Sequence, residues 1–232
     1  MKLRFFGRGS GFADEHNSAY FVTNQNDLVI IDCPASTYQK LKHIDLQQYD
    51  KIYVLITHTH GDHSGGLGLL VQHSFFKQKK IINIIAPSKR VARDIKLLLT
   101  RIEGCQKDWF CLTTSKKVQE DWFCRSIKTI HSPQLKNKCF GYQLTLDSTN
   151  IIYTGDTSTL KPFLPYLQSG TEFYVDASVH DGIVHMKLED ALNSLNNIAS
   201  NGVKVYLMHL DDPGAAEHLI ANYHNIKLVT VE

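Results

Sequence analysis

The sequence predicts an α/β protein built as a four-layer αββα sandwich, two packed sheets with helices on the outside. The order of the segments is the first reason. Apolar runs of strand length open each half of the chain and helical segments follow, so a β-rich stretch and then βα units occur twice. Composition is the second. With 232 residues, 43% hydrophobic and 21% charged, the chain can bury a sizeable core and falls outside the disordered class. No run reaches the ~18 apolar residues a membrane helix needs, so no membrane partner is expected. The opening MKLRFFGRGSGF has no long apolar core of the kind secretory signals carry. The expectation is a single domain over 1–232.

In order along the chain, Lys2–Phe6 reads as a short strand, and Gly7 to Gly11 as a flexible loop. Ala19–Val22 and Leu28–Ile31 are apolar runs on either side of Asn24-Gln25-Asn26-Asp27, a turn composition. Lys51–Ile56 is apolar on both faces, as a strand buried in a parallel sheet would be. Gly65–Phe76 places Leu67, Leu70, Val71 and Phe75 at helical spacing, and Ile81–Ile85 is again a strand. Ser88 can cap a helix running to about Ile102, with Val91, Ile95 and Leu98 on one face.

Gly104 to Glu120 gives no readable pattern. Phe123–Ile130, Phe140–Leu146 and Ile151–Tyr153 read as strands, and Leu160–Leu167 as a helix shortened by Pro162 and Pro165. Phe173–Val175 is a strand, and Lys187–Asn201 is a helix stopped by Gly202. Val203–Met208, Pro213–Tyr223 and Ile226–Val231 complete the series as strand, helix and strand.

The five cysteines form no CxxC pair, so reduced thiols and a cytoplasmic location are expected. The small net charge of +2 hides an asymmetry: residues 77–138 carry 15 Lys/Arg against 5 Asp/Glu, whereas the rest carries 10 against 18. A basic segment on an acidic body suits an anionic partner, and a solvated helix face bearing scattered lysines would look the same.

Residues 57–63 read Thr-His-Thr-His-Gly-Asp-His, directly after a buried strand. Imidazole and carboxylate are the ligands of zinc and its neighbours. In this spacing His58 and His60 alternate out of an extended segment and point the same way. Asp62 and His63 then open a helix and face a second position, with Gly61 expected to permit the turn. That geometry favours two metals.

These residues, with others in order along nearly the whole chain, resemble the metallo-β-lactamase fold hydrolases. Asp32 ends a strand in LVIIDCP, where the family has an orienting aspartate. His131 in KTIHSPQ, Asp156 in IIYTGDT and His209 in VYLMHLDD stand where it places its remaining ligands. The resemblance implies that His58, His60 and His131 hold one metal, that Asp62, His63 and His209 hold another, and that Asp156 bridges. It also implies that Asp62 orients the attacking hydroxide, since a pair of divalent ions makes hydroxide available near neutral pH. Zinc suits the imidazole-rich set, with Mn2+, Fe2+ or cobalt as alternatives.

The segment from Asp176 to His185, followed by Met-Lys-Leu-Glu-Asp-Ala, is similar to one in the transfer-RNA 3′-end nucleases (RNase Z) and related phosphodiesterases. The resemblance implies Asp176 as orienting carboxylate and His185 as general acid. The chemistry is sound, because phosphodiester cleavage expels an alkoxide that a charged imidazole can protonate. The competing reading makes His185 a cap for the helix near Lys187. GRGSGF, Asn17-Ser18-Ala19 and Phe140-Gly141-Tyr142 also resemble that branch. His131 follows His63 by 68 positions, with no Gly/Pro-rich RNA-gripping arm between them, and His209-Leu-Asp-Asp-Pro departs from the nuclease ending.

A small anionic phosphodiester, such as a cyclic nucleotide or cyclic phosphate, is therefore the expected substrate. RNA cleavage, lactone or thioester hydrolysis on the same fold, and a binding protein that keeps the fold are the rivals. A homodimer is expected from the resemblance. His16, His180, Asp211 and Asp212 are read either as cleft residues or as ordinary surface.

Overall fold

The structure is a computed structural model that describes residues 1–180 and 182–231. The chain divides into two compact units, one built on Met1–Gly7 and Asp14–Gln119, the other on Arg8–Ala13 and Glu120–Thr230. Each unit contains one six-stranded sheet.

The first unit runs β1 (Arg4–Gly7), β2 (Ser18–Val22), β3 (Leu28–Ile31), α1 (Ala35–Leu41), β4 (Ile52–Leu55), α2 (Gly61–Ser64), α3 (Leu67–Phe76), β5 (Ile82–Ala86), α4 (Lys89–Leu97) and β6 (Phe110–Thr114). The strands lie in sequence order. The first two pairings are antiparallel, and β3 to β6 are parallel. Leu28–Ile31 and Ile52–Leu55 are buried throughout. That is what a parallel strand covered on both faces requires, and it explains why these two runs do not alternate.

Ser88 caps α4, its hydroxyl accepting from the Val91 amide at 3.3 Å, and Val91 and Ile95 face inward. The helix ends at Leu97 and continues to Ile102 as a wider π turn.

The second unit repeats the plan with β7 (Phe123–Lys128), β8 (Phe140–Leu146), β9 (Thr149–Tyr153), β10 (Glu172–Asp176), α5 (Leu188–Ser200), β11 (Lys204–Met208), α6 (Pro213–Ile220) and β12 (Ile226–Leu228). Here β7 to β9 are antiparallel and β9 to β12 parallel. On α5 the buried residues Leu188, Ala191, Leu192, Leu195 and Ala199 form one apolar stripe. They pack with Phe163, Phe173 and Leu207 in the core of this unit. Gly202, at φ 84°, ends the helix as expected.

Several expectations change. Leu160–Leu167 forms no α-helix, only a 3-10 turn at Leu164–Tyr166, because Pro162 and Pro165 lack the amide hydrogens a helix ladder needs. The unreadable stretch hides β6, an edge strand in which only Phe110 is buried. The glycine-rich loop is pinned: the Leu210 amide donates to the Arg8 carbonyl at 2.7 Å, and the Ser10 amide to the Leu210 carbonyl at 3.0 Å. Gly61 has no left-handed φ, and a Cβ there would meet nothing within 4 Å, so the turn does not depend on it. Gly66 is the constrained glycine, because a Cβ there would collide with the Pro34 carbonyl oxygen. Among the described residues no helix is long and apolar enough to cross a membrane.

Candidate metal centre

Strand register places the chemistry. In the first unit Ile31 pairs with Leu55, so β3 and β4 end level, and the residues just beyond them, Asp32 and Thr57-His58, lie side by side. In the second, Asp176 pairs with Met208 and Tyr174 with both Tyr153 and Tyr206, so Asp156, Asp176 and His209 gather at the carboxyl edge of the parallel strands. That edge is where open α/β sheets hold their ligands.

In the first unit Asp32 is fully buried, with a left-handed φ of 62°. Its carboxylate accepts the Thr57 amide and the Thr57 hydroxyl, each at 2.7 Å, and faces His63 Nδ1 at 2.8 Å. Burial pushes the Asp32 pKa up, and the attraction of His63 and these hydrogen bonds offset only part of that. The wiring assigns the imidazole tautomers. The Thr57 hydroxyl gives its single proton to Asp32, so toward His58 Nδ1, 3.1 Å away, it can only accept.

His58 therefore carries its proton on Nδ1 and a lone pair on Nε2, which faces His60 Nδ1 at 3.0 Å. By the same logic His63 Nδ1 donates to Asp32, and its Nε2 faces Asp62 Oδ2 at 3.4 Å. A carboxylate that holds the far nitrogen of an imidazole is the usual support for a metal-binding histidine.

The second unit repeats the device. His131 Nδ1 lies 2.8 Å from the Val184 carbonyl oxygen, which only accepts, so Nδ1 donates and the lone pair of the neutral ring lies on Nε2. One oxygen of Asp156, Oδ2, stands 3.7 Å from that Nε2, 3.5 Å from His209 Nε2 and 4.0 Å from His185 Nδ1. His209 adopts φ 57° immediately after β11 and directs Nδ1 toward Asp176 Oδ1 at 3.3 Å. The ligand atoms of Asp156, Asp176, His185 and His209 all lie within 4.8 Å of one another. Asp32 and His209 are both non-glycine residues held left-handed, a conformation that costs about 1–3 kcal/mol and clusters at functional sites.

Asp176 Oδ2 also holds His185 Nδ1 at 2.9 Å and the Thr157 amide at 2.8 Å. Burial works against a charged His185 ring, but the Asp176 charge, its hydrogen bond and Asp156 outweigh it and raise the pKa. The helix-cap alternative for His185 finds no support, since α5 has no side-chain cap at its start.

Imidazole rings whose Nδ1 atoms are fixed by acceptors, and a carboxylate oxygen at the hub, are a donor set suited to divalent cations. The structure thus gathers Asp32, His58, His60, Asp62 and His63 in the first unit. In the second it gathers His131, Asp156, Asp176, His185 and His209. The His16 ring rests against Ser36 Oγ at 3.1 Å. Sequence reading missed Thr57 and the Val184 carbonyl. Thr57 sits inside the histidine motif and was open to notice, whereas a backbone carbonyl leaves no signature.

Comparison with known proteins agrees. A family described as Anti-Pycsar protein Apyc1 matches residues 1–230. The Anti-Pycsar protein Apyc1 of Bacillus phage BSP38 is 23% identical over 231 residues, covering 91% of this chain and 89% of the relative. A Ribonuclease Z of Methanococcus maripaludis is 31% identical over 280 residues, covering 97% and 90%. Among solved structures, the metallo-β-lactamase fold protein YhfI of Bacillus subtilis superposes with a TM-score of 0.73 at 18% identity, covering 99% of this chain and 96% of that one. The fold is therefore of the metallo-β-lactamase type, and the chain is a metal-dependent hydrolase. It belongs to the Anti-Pycsar protein Apyc1 family, on the RNase Z-like branch of the metallo-β-lactamase fold hydrolases.

Proposed function

We propose that the chain is a dinuclear phosphodiesterase that hydrolyses a small phosphodiester, with a cyclic nucleotide first among the candidates. In this reading residues 1–232 act as one functional domain. His58, His60 and His131 would hold one ion, Asp62, His63 and His209 would hold the second, and Asp156 would serve both. The observation that carries it is the Asp176–His185 pair at 2.9 Å beside the Asp156 hub. The phage relatives point to cyclic nucleotide degradation.

When bound, two divalent ions supply positive charge for the phosphate and acidify water. The protein's own residues do the rest. Asp62 orients the attacking water. With Nδ1–H held by Asp176, His185 offers its Nε2 proton to the departing alkoxide, and against the effect of burial the Asp176 charge raises the pKa of the ring above its ordinary value. Zinc suits the imidazole-rich donors and is the first metal to test, ahead of Mn2+ and Fe2+. A homodimer and a cytoplasmic setting complete the proposal.

RNase Z-like cleavage of RNA is the second reading, favoured by the ribonuclease Z relative. One experiment separates the two. Protein reconstituted with zinc or manganese is assayed on a panel of 3′,5′-cyclic nucleotides, bis-p-nitrophenyl phosphate and a transfer-RNA precursor. Turnover of a cyclic nucleotide well above that of the precursor is expected. Precursor cleavage without cyclic nucleotide turnover would establish the second reading, and no metal-dependent turnover of any phosphodiester would overturn both.

A further inference from the structure

Three consecutive residues after His209 each hold a different part of the second unit. Leu210 bonds the glycine-rich loop through its backbone. Asp212 caps α6, its Oδ1 accepting the Ala215 amide at 2.9 Å. Asp211 lies between them, and its carboxylate reaches more than thirty residues back along the chain. It accepts the Ser178 hydroxyl at 2.5 Å, the Val179 amide at 2.8 Å and the His180 amide at 3.1 Å. It also accepts the Asp212 amide at 2.9 Å.

Ser178 opens the loop that returns at His185. The loop is closed at its base by the Ser178 amide on the Met186 carbonyl at 3.0 Å and by the Leu188 amide on the Ser178 carbonyl at 2.7 Å. Toward its far end the Val184 carbonyl holds His131. His185 thus sits on a loop with one end fixed by Asp211, in the turn that follows His209, and the other by α5. Resting on the reading of His185 as proton donor, we infer that Asp211 is a positioning residue: by clamping residues 178–180 to the turn after His209, it sets His185 at its working distance from Asp176 and Asp156.

The test compares Asp211→Ala and Asp211→Asn, each alone and combined with His185→Ala, on metal-loaded protein. Two substrates are used. Opening a cyclic nucleotide breaks a P–O bond to a ribose oxygen, which departs as an alkoxide and needs a proton donor, whereas bis-p-nitrophenyl phosphate expels p-nitrophenolate, which needs one far less. Misplacing a catalytic group by about 1 Å can cost on the order of a hundredfold. Asp211→Ala is therefore expected to lower kcat on the cyclic nucleotide about 10- to 100-fold, change KM by less than about threefold, and slow the aryl substrate about tenfold less. In the His185→Ala background it should cost nothing further, because residues acting through one another are not additive. Asp211→Asn keeps one acceptor oxygen and should recover part of the rate. Ser178→Ala removes one donor without touching Asp211 and should show the same pattern, smaller, even if Asp211→Ala does not fold.

A readout that does not depend on turnover is taken on metal-free protein. The hydrogen-bonded Nδ1 proton of His185 is followed by NMR, and it should broaden or vanish in Asp211→Ala and return in Asp211→Asn. Equal losses on both substrates, losses that multiply in the His185→Ala background, or an unchanged His185 proton signal in Asp211→Ala would each overturn the inference. If the wild type turns over no phosphodiester, the functional reading fails by itself, and the NMR comparison decides the positioning role alone.

Discussion

Asp176 Oδ2 lies 2.9 Å from His185 Nδ1 and 2.8 Å from the Thr157 amide, so one buried oxygen fixes the proton of the imidazole and the strand end that carries Asp156. The arrangement leaves His185 Nε2 as the donor. His185→Ala should then lower kcat on an alkoxide-leaving cyclic nucleotide by about 10²- to 10⁴-fold, the usual worth of general acid catalysis. The effect on an aryl phosphodiester should be much smaller. Steady-state rates on the two substrates check this, and equal losses would remove His185 from the proton-donor role.

The pH profile tests the same pair. The acid works only while protonated, so activity on the cyclic nucleotide should fall as pH rises through the His185 pKa. The Asp176 charge and hydrogen bond overcome burial and raise that pKa, so the falling limb should lie above that of an ordinary imidazole. Asp176→Asn removes the charge that sustains the shift, and the limb should move to lower pH as kcat drops. A limb that stays in place in Asp176→Asn would show that another group titrates there.

Much of the candidate site was legible because its parts announce themselves locally. Thr57 to His63 puts four candidate ligands in one short stretch after a strand apolar on both faces, and Asp32, Asp156, Asp176 and His209 each follow or end an apolar strand run. Within each unit, parallel strands in level register turn that repeated position into one edge. What escaped notice depends on contacts between distant residues. The Val184 carbonyl that sets the His131 tautomer is backbone, and Asp211 resembles any polar residue before a helix until its bonds to Ser178, Val179 and His180 are seen. β6 was invisible because an edge strand with one buried side chain carries almost no apolar pattern. The expected importance of Gly61 came from the general permissiveness of glycine, and the space around it makes no such demand.

The two glycines that flank this turn give a paired stability test. Gly61→Ala adds a methyl group in open space within α2 and should change unfolding free energy by no more than about 0.5 kcal/mol, with the better helix propensity of alanine in its favour. Gly66→Ala drives a Cβ into the Pro34 carbonyl, with the Cys33 carbonyl oxygen 3.0 Å away, and no flexible side chain can yield. A loss of about 1–3 kcal/mol is expected, typical of forced overpacking. Urea unfolding of metal-free protein measures both, and equal midpoints would show that the backbone there is not constrained.

Asp32 separates support of the fold from support of the metal. Asp32→Ala leaves the buried Thr57 amide, Thr57 hydroxyl and His63 Nδ1 without their acceptor. It should cost about 2–4 kcal/mol of stability. Asp32→Asn tolerates the left-handed backbone and keeps one acceptor oxygen, so it should fold better while still weakening the hold on His63. Loss of such a supporting partner typically lowers metal affinity about 10- to 100-fold. Metal titration of Asp32→Asn by calorimetry, with denaturation of both variants, checks the two effects. Unchanged affinity would mean that Asp32 serves the fold alone.

Asp156 should matter to both ions at once, because its Oδ2 faces His131 and His209, which the proposed assignment gives to different metals. Chelation of wild-type protein is expected to abolish turnover and lower the melting temperature. Ligand present at about a hundredfold excess over its Kd stabilises by about 2.7 kcal/mol, worth roughly 5–10 °C in a chain of this size. Asp156→Ala should lose that stabilisation and bind fewer ions than wild type, whereas His60→Ala, which touches one proposed site, should keep at least one ion. Elemental analysis and melting curves across zinc, manganese and iron read both quantities and rank the metals together. Full metal content in Asp156→Ala, with the wild-type shift in melting temperature, would show that the two ions do not share this carboxylate.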